Sequence, residues 1–464
     1  MDKCLILVLG VTGDLGKRKL IPALYNLLAT GQLDGCPIVG AALQSITSDQ
    51  VLEQARPYID QFDPVVWQQL HHQFSYLPID ISNLQDFKNL FSLVQAQLQL
   101  YNLSKKILVY CAVFESLYLS ATAALAQVGI LYKHAEDDLE WCRVVYEKPF
   151  GHDYKSVRIL NDVILQHLNE HQIYRVDHYL AKEIVENIAF VRFTNRIFEQ
   201  LWNFNHIEWV QIILDETLDI EGRGGYYDRY GVIKDVVQNH ILQLVALIGM
   251  EQPLSLSGSA ICDAKAQVLK SISCQDGILG QYQGYQNERQ VAQCSSTPTF
   301  AALRLEINQP RWQGVPFYVK TGKVLGSKQT KICLKFKSTQ EIGSYNGLIS
   351  ANYLTISIYP QAGFDLQINA KQSQVGHDIV PVHLNSYYSA GVFVPQVSRA
   401  YENVINDIRQ GGRTFAVRMD EIEFSWSVSD QIERLQLPIF PYQPGSFGPQ
   451  ELIEWQSRWA FVWY

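Results

Sequence analysis

K-C-L-I-L-V-L-G-V-T-G-D-L-G-K-R-K-L-I-P-A-L-Y-N-L-L, residues 3–28, decides the fold. Lys3–Leu9 is an apolar run of strand length. Gly10, Gly13 and Gly16 then punctuate a turn, and Leu20, Leu24 and Leu28 recur at helical spacing. A strand feeding a glycine turn and then a helix is the setting in which bare backbone N–H groups and a helix N-terminus meet a dinucleotide pyrophosphate. The spacing G-x-x-G-x-x-G departs from the commoner G-x-G-x-x-G, so the stretch also reads as a tight turn with no ligand.

Further apolar runs extend this into a domain. Pro37–Ala42 is a second strand, followed by Leu43 and Gln44 where an acid suits NAD and an arginine suits NADP. Residues 47–100 read as helical, with Leu90, Val94 and Leu98 in a stripe, and Lys106–Val113 and Trp141–Tyr146 are continuous strand-length runs. Buried runs alternating with helices predict a doubly wound parallel sheet over residues 1–176, a Rossmann-like α/β dinucleotide-binding domain. The turn Glu147-Lys148-Pro149-Phe150-Gly151 closes the Trp141–Tyr146 run, and its proline is a candidate cis residue. Ligands gather at the carboxyl ends of such strands, where Lys148 stands.

Residues 177–464 have a different texture, predicting an α+β substrate and dimerisation domain. Strands are expected at Ile207–Leu214, Phe300–Ile307, Val315–Val319, Lys331–Phe336, Tyr353–Tyr359 and Phe364–Ile368, without regular crossovers, hence a large mostly antiparallel sheet. A helix from near Ile233 to near Gly249 carries Asp235 and His240, which five α-helical residues separate by roughly 140°. Ser398–Gln410 reads as a helix, and Trp455, Trp459 and Trp463 form an i, i+4, i+8 stripe read as packing or an oligomer contact. Residues 251–300 show no clear pattern.

At 464 residues, two or three domains are expected. Hydrophobic content of 47% with 18% charged residues is that of a globular chain, and a formal charge of −8 supplies no overall basic field for nucleic acid or anionic membrane. The eight cysteines form no C-x-x-C pair or metal-ligand spacing, so no metal is expected and the setting is read as reducing and cytoplasmic. No signal peptide and no membrane-spanning run are read in the sequence.

Chemistry concentrates in Y-R-V-D-H-Y-L-A-K-E-I-V-E-N, residues 174–187. Asp177, His178, Tyr179 and Lys182 bring an acid, an imidazole, a phenol and an amine within six positions. On a helix, His178 and Lys182 share a face, a pairing suited to a small dianion such as phosphate. The same residues also suit an exposed ion-pairing helix.

Together these stretches resemble the glucose-6-phosphate 1-dehydrogenase family. The resemblance rests on G-V-T-G-D-L-G-K-R-K (10–19), E-K-P-F-G-H-D (147–153), the 174–187 stretch, R-F-T-N-R-I-F-E-Q-L-W-N (192–203), G-R-G-G-Y-Y-D-R-Y-G-V-I-K-D-V-V-Q-N-H (222–240) and W-Q-G-V-P-F-Y-V-K-T-G-K (312–323). A-Y-E-N-V-I-N-D-I (400–408) and Y-Q-P-G-S-F-G-P (442–449) continue it in order. The resemblance implies oxidation of D-glucose 6-phosphate to 6-phospho-D-glucono-1,5-lactone, the first step of the oxidative pentose phosphate pathway, with hydride transfer to NADP. It implies His240 as general base and Asp177 as its orienting acid. Lys148, His178, Tyr179, Lys182, Glu216, Asp235, Lys323, Lys328 and Lys19 would bind the substrate. Gly10, Thr12, Gly13, Asp14, Leu15, Gln44, Tyr118 and Lys148 would bind the cofactor. A homodimer or homotetramer is implied as well.

The departures lie on the cofactor side. Leu43 replaces the family's 2′-phosphate arginine, Phe114-Glu115 replaces a Pro-Pro pair, and Gly16 replaces an alanine, a change expected to matter little. NAD is therefore an alternative acceptor. The rival readings are a weakly active or non-catalytic sugar-phosphate-binding paralogue, and an NAD-preferring dehydrogenase of a related sugar 6-phosphate.

Overall fold

The structure, a computed structural model, describes residues 3–177, 179–180, 182–338, 349–371, 379–388 and 400–464. They form two compact units. The first contains described residues within 1–182, 257–259 and 398–423, and the second contains those within 183–256, 260–397 and 424–464.

In chain order the strands begin with β1 (Leu5–Leu9), β2 (Ile38–Ala42), β3 (Phe74–Pro78), β4 (Lys106–Cys111), β5 (Trp141–Glu147) and β6 (Ile173–Val176). Next come β7 (Ile207–Asp215), β8 (Ile272–Tyr282), β9 (Phe300–Ile307), β10 (Phe317–Gly322) and β11 (Gln329–Phe336). The series ends with β12 (Tyr353–Tyr359), β13 (Gly363–Lys371), β14 (Ile379–Tyr387), β15 (Ala416–Val417) and β16 (Ile439–Tyr442).

The first unit is a seven-stranded sheet in the order β3-β2-β1-β4-β5-β6-β15. β1 to β6 are parallel, and β15 pairs antiparallel with β6. This is the expected doubly wound topology. Every residue of β1 and β2 is buried, as a sheet covered on both faces requires. The strand order reverses between β1 and β4, which opens the crevice where such sheets bind ligands.

Residues 400–423 return to this unit from far along the chain. Asn26 donates to Glu402 Oε1 at 2.7 Å, and Arg143 donates to the carbonyls of Ile408 and Arg409 at 2.8 Å each. Val404, Ile405, Ile408, Phe415 and Ala416 join the same apolar core as β1.

The second unit is a nine-stranded sheet, β14-β13-β12-β11-β7-β10-β9-β8-β16. Only the β7–β10 and β8–β16 pairs are parallel, so the expectation of a mostly antiparallel sheet holds. The strand expected at Val315–Val319 is shifted to Phe317–Gly322.

Several local expectations are corrected. Residues 47–100 are not all helical: helices Ser48–Ala55, Pro64–Gln73 and Leu84–Leu100 are interrupted by β3. Residues 251–300 contain a helix, Gly258–Ser271, that runs straight into β8. The helix at Ser398–Gln410 is Ala400–Arg409, residues 398 and 399 lying outside the described ones. The tryptophan stripe is not one helix, because Glu451–Arg458 ends before Trp459 and Trp463. Packing accounts for all three rings, which join one apolar cluster, and Trp455 and Trp459 also donate Nε1–H to Asp276 Oδ2, at 3.1 and 2.8 Å.

The helical run Gly224–Gly249 holds an 18-residue window of mean hydropathy 1.2, long and apolar enough to cross a membrane by length and composition. The sequence reading overlooked it. With 89% of that window buried inside the protein, it is a core helix.

Candidate active site

In the first unit the glycine turn is built by close approach. Gly10 has φ +79°, and a Cβ on it would lie 2.3 Å from the carbonyl oxygen of Ala112, just past β4. Its N–H donates to Ala41 O at 2.7 Å, so β1 ends tied to β2. A Cβ on Gly16 would lie 2.0 Å from Val11 O, which corrects the expectation that alanine and glycine are interchangeable there. The helix that follows starts with a wide π turn over Gly16–Leu20 before continuing as α-helix Ile21–Ala29, and that turn draws Gly16 onto Val11. Gly13 is exposed, so an anion meets backbone without a side chain in the way. The turn therefore fits a dinucleotide pyrophosphate. Thr12 is buried, Leu15 half-buried, and Asp14 and Lys19 exposed. Asp14 holds Arg18 at 3.2 Å.

Past β2, Leu43 is 75% exposed. Gln44 is exposed too, its carbonyl accepting from the Tyr76 hydroxyl at 2.6 Å. Past β4, Phe114 is 84% exposed, while Glu115 Oε1 accepts the N–H of Gly151 at 2.8 Å. The Glu115 carboxylate thus braces the turn containing Lys148. Tyr118 is buried and donates its hydroxyl to Glu147 O at 2.7 Å, a second brace on the same turn. The Lys148–Pro149 bond is cis. Asp153, the last residue of that motif, caps the helix Tyr154–His167 by accepting from Ser156 N at 2.6 Å.

Glu147 carries a property that sequence reasoning missed. Burial pushes its carboxyl up to about 7, against the Tyr110 hydroxyl that donates to it and the charge of Lys148. Its position beside Lys148 at a strand end was the available signal.

The 174–187 stretch is not helical where it was expected to be. β6 ends at Val176 and the helix begins at Glu183, and between them Tyr179 and Leu180 form a turn. Asp177 is buried, and its Oδ1 accepts Tyr179 N at 2.8 Å. Lys182 lies over the Tyr179 ring, 3.8 Å from its centroid, so these two meet by a cation–π contact rather than helical spacing. His178 lies outside the described residues.

In the second unit, β7 and β10 run parallel and end together. Lys323, buried just past β10, pairs with Glu216 Oε2 at 2.5 Å, and Glu216 N donates to Gly322 O at 3.0 Å. One residue earlier on β7, Asp215 pairs with buried Lys320 at 3.1 Å. Lys328 is exposed, with its ammonium 4.7 Å from the Tyr359 ring centroid.

Asp235 and His240 are both buried on a wide π-helical segment, Ile233–Ile241, between α-helical segments Gly224–Val232 and Leu242–Gly249. This overturns the 140° separation. Where the helix hydrogen-bonds i to i+5, residues five apart stack as residues four apart do on an α-helix. An acid and an imidazole thus share one face. The Tyr226 hydroxyl donates to Asp235 Oδ1 at 3.3 Å, and burial followed by the Asp235 charge pushes that phenol up. Sequence periodicity carried no sign of this widening.

With that geometry in view, two family models match consecutive parts of the chain. Residues 7–187 match "Glucose-6-phosphate dehydrogenase, NAD binding domain", and residues 189–464 match "Glucose-6-phosphate dehydrogenase, C-terminal domain". Glucose-6-phosphate 1-dehydrogenase 6, cytoplasmic, of Arabidopsis thaliana is 36% identical, covering 96% of this chain and 89% of that protein. Glucose-6-phosphate 1-dehydrogenase of Bacillus subtilis is 34% identical, covering 100% and 98%. A solved glucose-6-phosphate dehydrogenase in complex with glucose-6-phosphate superposes with a TM-score of 0.91 at 29% identity, covering 100% of this chain and 99% of that one. The enzyme from Mycobacterium avium gives 0.88 at 33%, covering 100% and 98%. Matched end to end in sequence and in structure, the chain belongs to the glucose-6-phosphate dehydrogenase family.

Proposed function

We propose that the chain oxidises D-glucose 6-phosphate at C1 to 6-phospho-D-glucono-1,5-lactone, using a nicotinamide dinucleotide as hydride acceptor. The reading that His240 is the general base is supported above all by the shared buried face of Asp235 and His240 on the wide helix. An imidazole suits the task because its ordinary pKa lies near neutrality. His240 takes the O1 proton as the electron pair of the C1–H bond departs as hydride, leaving the C1 carbonyl of the lactone. Asp177 is the acid assigned to orient the base and stabilise the imidazolium. The bound nicotinamide supplies the electrophilic carbon that receives the hydride.

Glu216, paired with Lys323, and Asp235 are assigned to the sugar hydroxyls. His178, Tyr179, Lys182 and Lys328 are assigned to the 6-phosphate, with Lys148 and Lys19 toward both ligands. A phenol and ammonium groups at stated contacts suit a dianion. Gly10, Thr12, Gly13, Asp14 and Leu15 line the pyrophosphate turn, with Gln44, Tyr118 and Lys148 beyond it. The dinucleotide-binding role is given to residues 1–176 and the substrate and dimerisation role to 177–464.

NADP is the family acceptor, and NAD competes here. The position one past β2 presents apolar Leu43, and Arg18 on the adjoining helix is already engaged by Asp14. A 2′-phosphate thus loses the fixed cation that would reward it. We place the enzyme in the cytoplasm as a homodimer or homotetramer, the location following the names of its plant relatives.

The deciding experiment follows near-ultraviolet absorbance of reduced nicotinamide with glucose 6-phosphate and either NADP or NAD. Turnover with one or both that His240→Asn abolishes is the expected result. Calorimetric binding of glucose 6-phosphate without turnover would replace the enzyme with a sugar-phosphate-binding protein.

A further inference from the structure

The helical run that carries His240 is pinned at both ends. Near its start Gly231 turns the backbone with φ +58°, and a Cβ there would lie 3.0 Å from Thr297 Cγ2. The next residue, Val232, donates its N–H to Pro298 O at 2.9 Å. At its finish three side chains converge on two carbonyls. Ile248 O accepts from Arg192 Nη1 at 2.9 Å and from Trp202 Nε1 at 2.8 Å, and Gly249 O accepts from Trp312 Nε1 at 2.7 Å.

This terminus is unusual in its chemistry. The last carbonyls of a helix are ordinarily met by water, a left-handed glycine or a tightened turn. Here a guanidinium only 1% exposed and two buried indoles meet them, drawn from segments remote from the helix in sequence. Arg192 is itself fixed by Glu199 Oε2 at 3.0 Å, and Glu199 Oε1 accepts Arg311 Nη2 at 2.8 Å. Arg311 then reaches Glu251, just past the helix, at 2.5 Å. Burial lowers the Arg192 guanidinium only to about 10, so it is charged at neutral pH and favourably placed at a helix C-terminus.

Between the two pins lies the wide segment. Asn239 reinforces it, its side chain donating to Lys234 O at 2.9 Å, five residues back. A wide turn holds more residues than an α turn and so rises less per residue. Relaxing to α would lengthen the run and leave His240 roughly 140° from Asp235. With both ends held, that lengthening has no room.

We propose that Arg192, Trp202 and Trp312 are positioning residues: they lock the carboxyl end of this helix, keep its central turn wide, and so keep His240 and Asp235 on one face. The proposal rests on the reading of His240 as the base. It explains why two family-resembling segments, 192–203 and 312–323, matter although neither Arg192 nor Trp312 is assigned to a ligand.

The test uses the full chain with Trp312→Phe, which removes one N–H while keeping a ring, and Arg192→Lys as a second route. Steady-state kinetics with glucose 6-phosphate are paired with an NMR titration of the His240 ring, assigned through His240→Asn. The expected result is a kcat about 10- to 100-fold lower, the cost of a misplacement on the order of 1 Å, with a smaller change in KM and a moved His240 resonance. Either variant suffices. Variants that melt earlier yet keep kcat and the His240 resonance would overturn the proposal. If His240→Asn itself turns over normally, the base assignment fails, while the resonance still reports whether the clamp sets the ring.

Discussion

Lys323 and Leu43, both assigned in the proposed function to the meeting of a phosphate-bearing ligand, are set in opposite ways. Lys323 is buried just past β10, a strand paired on both sides, and is locked to Glu216 at 2.5 Å. Leu43 stands 75% exposed past β2, where the family reading places a cation. On the proposed reading, the second unit commits buried, paired charge to its ligand. The first relies on backbone shape at the glycine turn, which serves any pyrophosphate. Recognition by paired charge discriminates strongly, and recognition by a bare turn does not.

The hardest blow to this contrast falls on the second unit. His240→Asn is expected to lower kcat by about 10²- to 10⁴-fold, the usual worth of a general base, with glucose 6-phosphate binding by calorimetry nearly unchanged. Loss of binding in step with kcat would instead make His240 a ligand-holding residue.

Next in size is a pH effect in the first unit. Folding favours the protonated form of Glu147, whose value rises from 4.5 to about 7. Its stabilising contribution is therefore complete below about 4.5 and is lost as pH rises through about 7. Wild type should lose up to about 3 kcal/mol across that window relative to Glu147→Gln, read by denaturant unfolding at a series of pH values. Parallel curves for the two proteins would show that burial does not dominate there.

The cofactor side can be sharpened directly. Leu43→Arg should raise preference for NADP over NAD by about 10- to 100-fold, the worth of one charge-assisted hydrogen bond, measured as a ratio of binding constants. A ratio already strongly favouring NADP in the wild type would mean that the cation comes from elsewhere. Smallest is Glu115→Gln, expected to destabilise by about 1 kcal/mol in thermal or denaturant melts as the brace on Gly151 weakens.

Sequence patterns carried the parts that repeat. Continuous apolar runs revealed β1, β2, β4 and β5, and the glycine turn announced itself by position. β3 escaped because Phe-Ser-Tyr-Leu-Pro buries only Phe74 fully and follows a helix without a turn residue between them. The helix at Gly258–Ser271 and the first half of β8 were hidden by polar residues that the fold leaves on their outer faces. The candidate site was legible as residue types and illegible as geometry. Nothing in Ile233–Ile241 signals a wide helix, and nothing in Tyr179 and Leu180 signals a turn. The end of the helix that carries the wide segment is met from far away in sequence, as by Arg192 on Ile248.

The return of residues 400–417 to the first sheet bears on how the protein is made. Arg409 donates to Gln32 O at 2.6 Å, Arg413 donates to the carbonyls of Glu170, His171 and Ile173, and β15 lies beside β6. The amino-terminal half leaves the ribosome first yet must wait for most of the chain before its edge strand is covered. Until then β6 presents an open edge, the kind that recruits stray strands. The two halves are consequently not interchangeable cassettes. A fragment cut at the boundary between the two family matches would retain the glycine turn and lose the segment that closes its sheet.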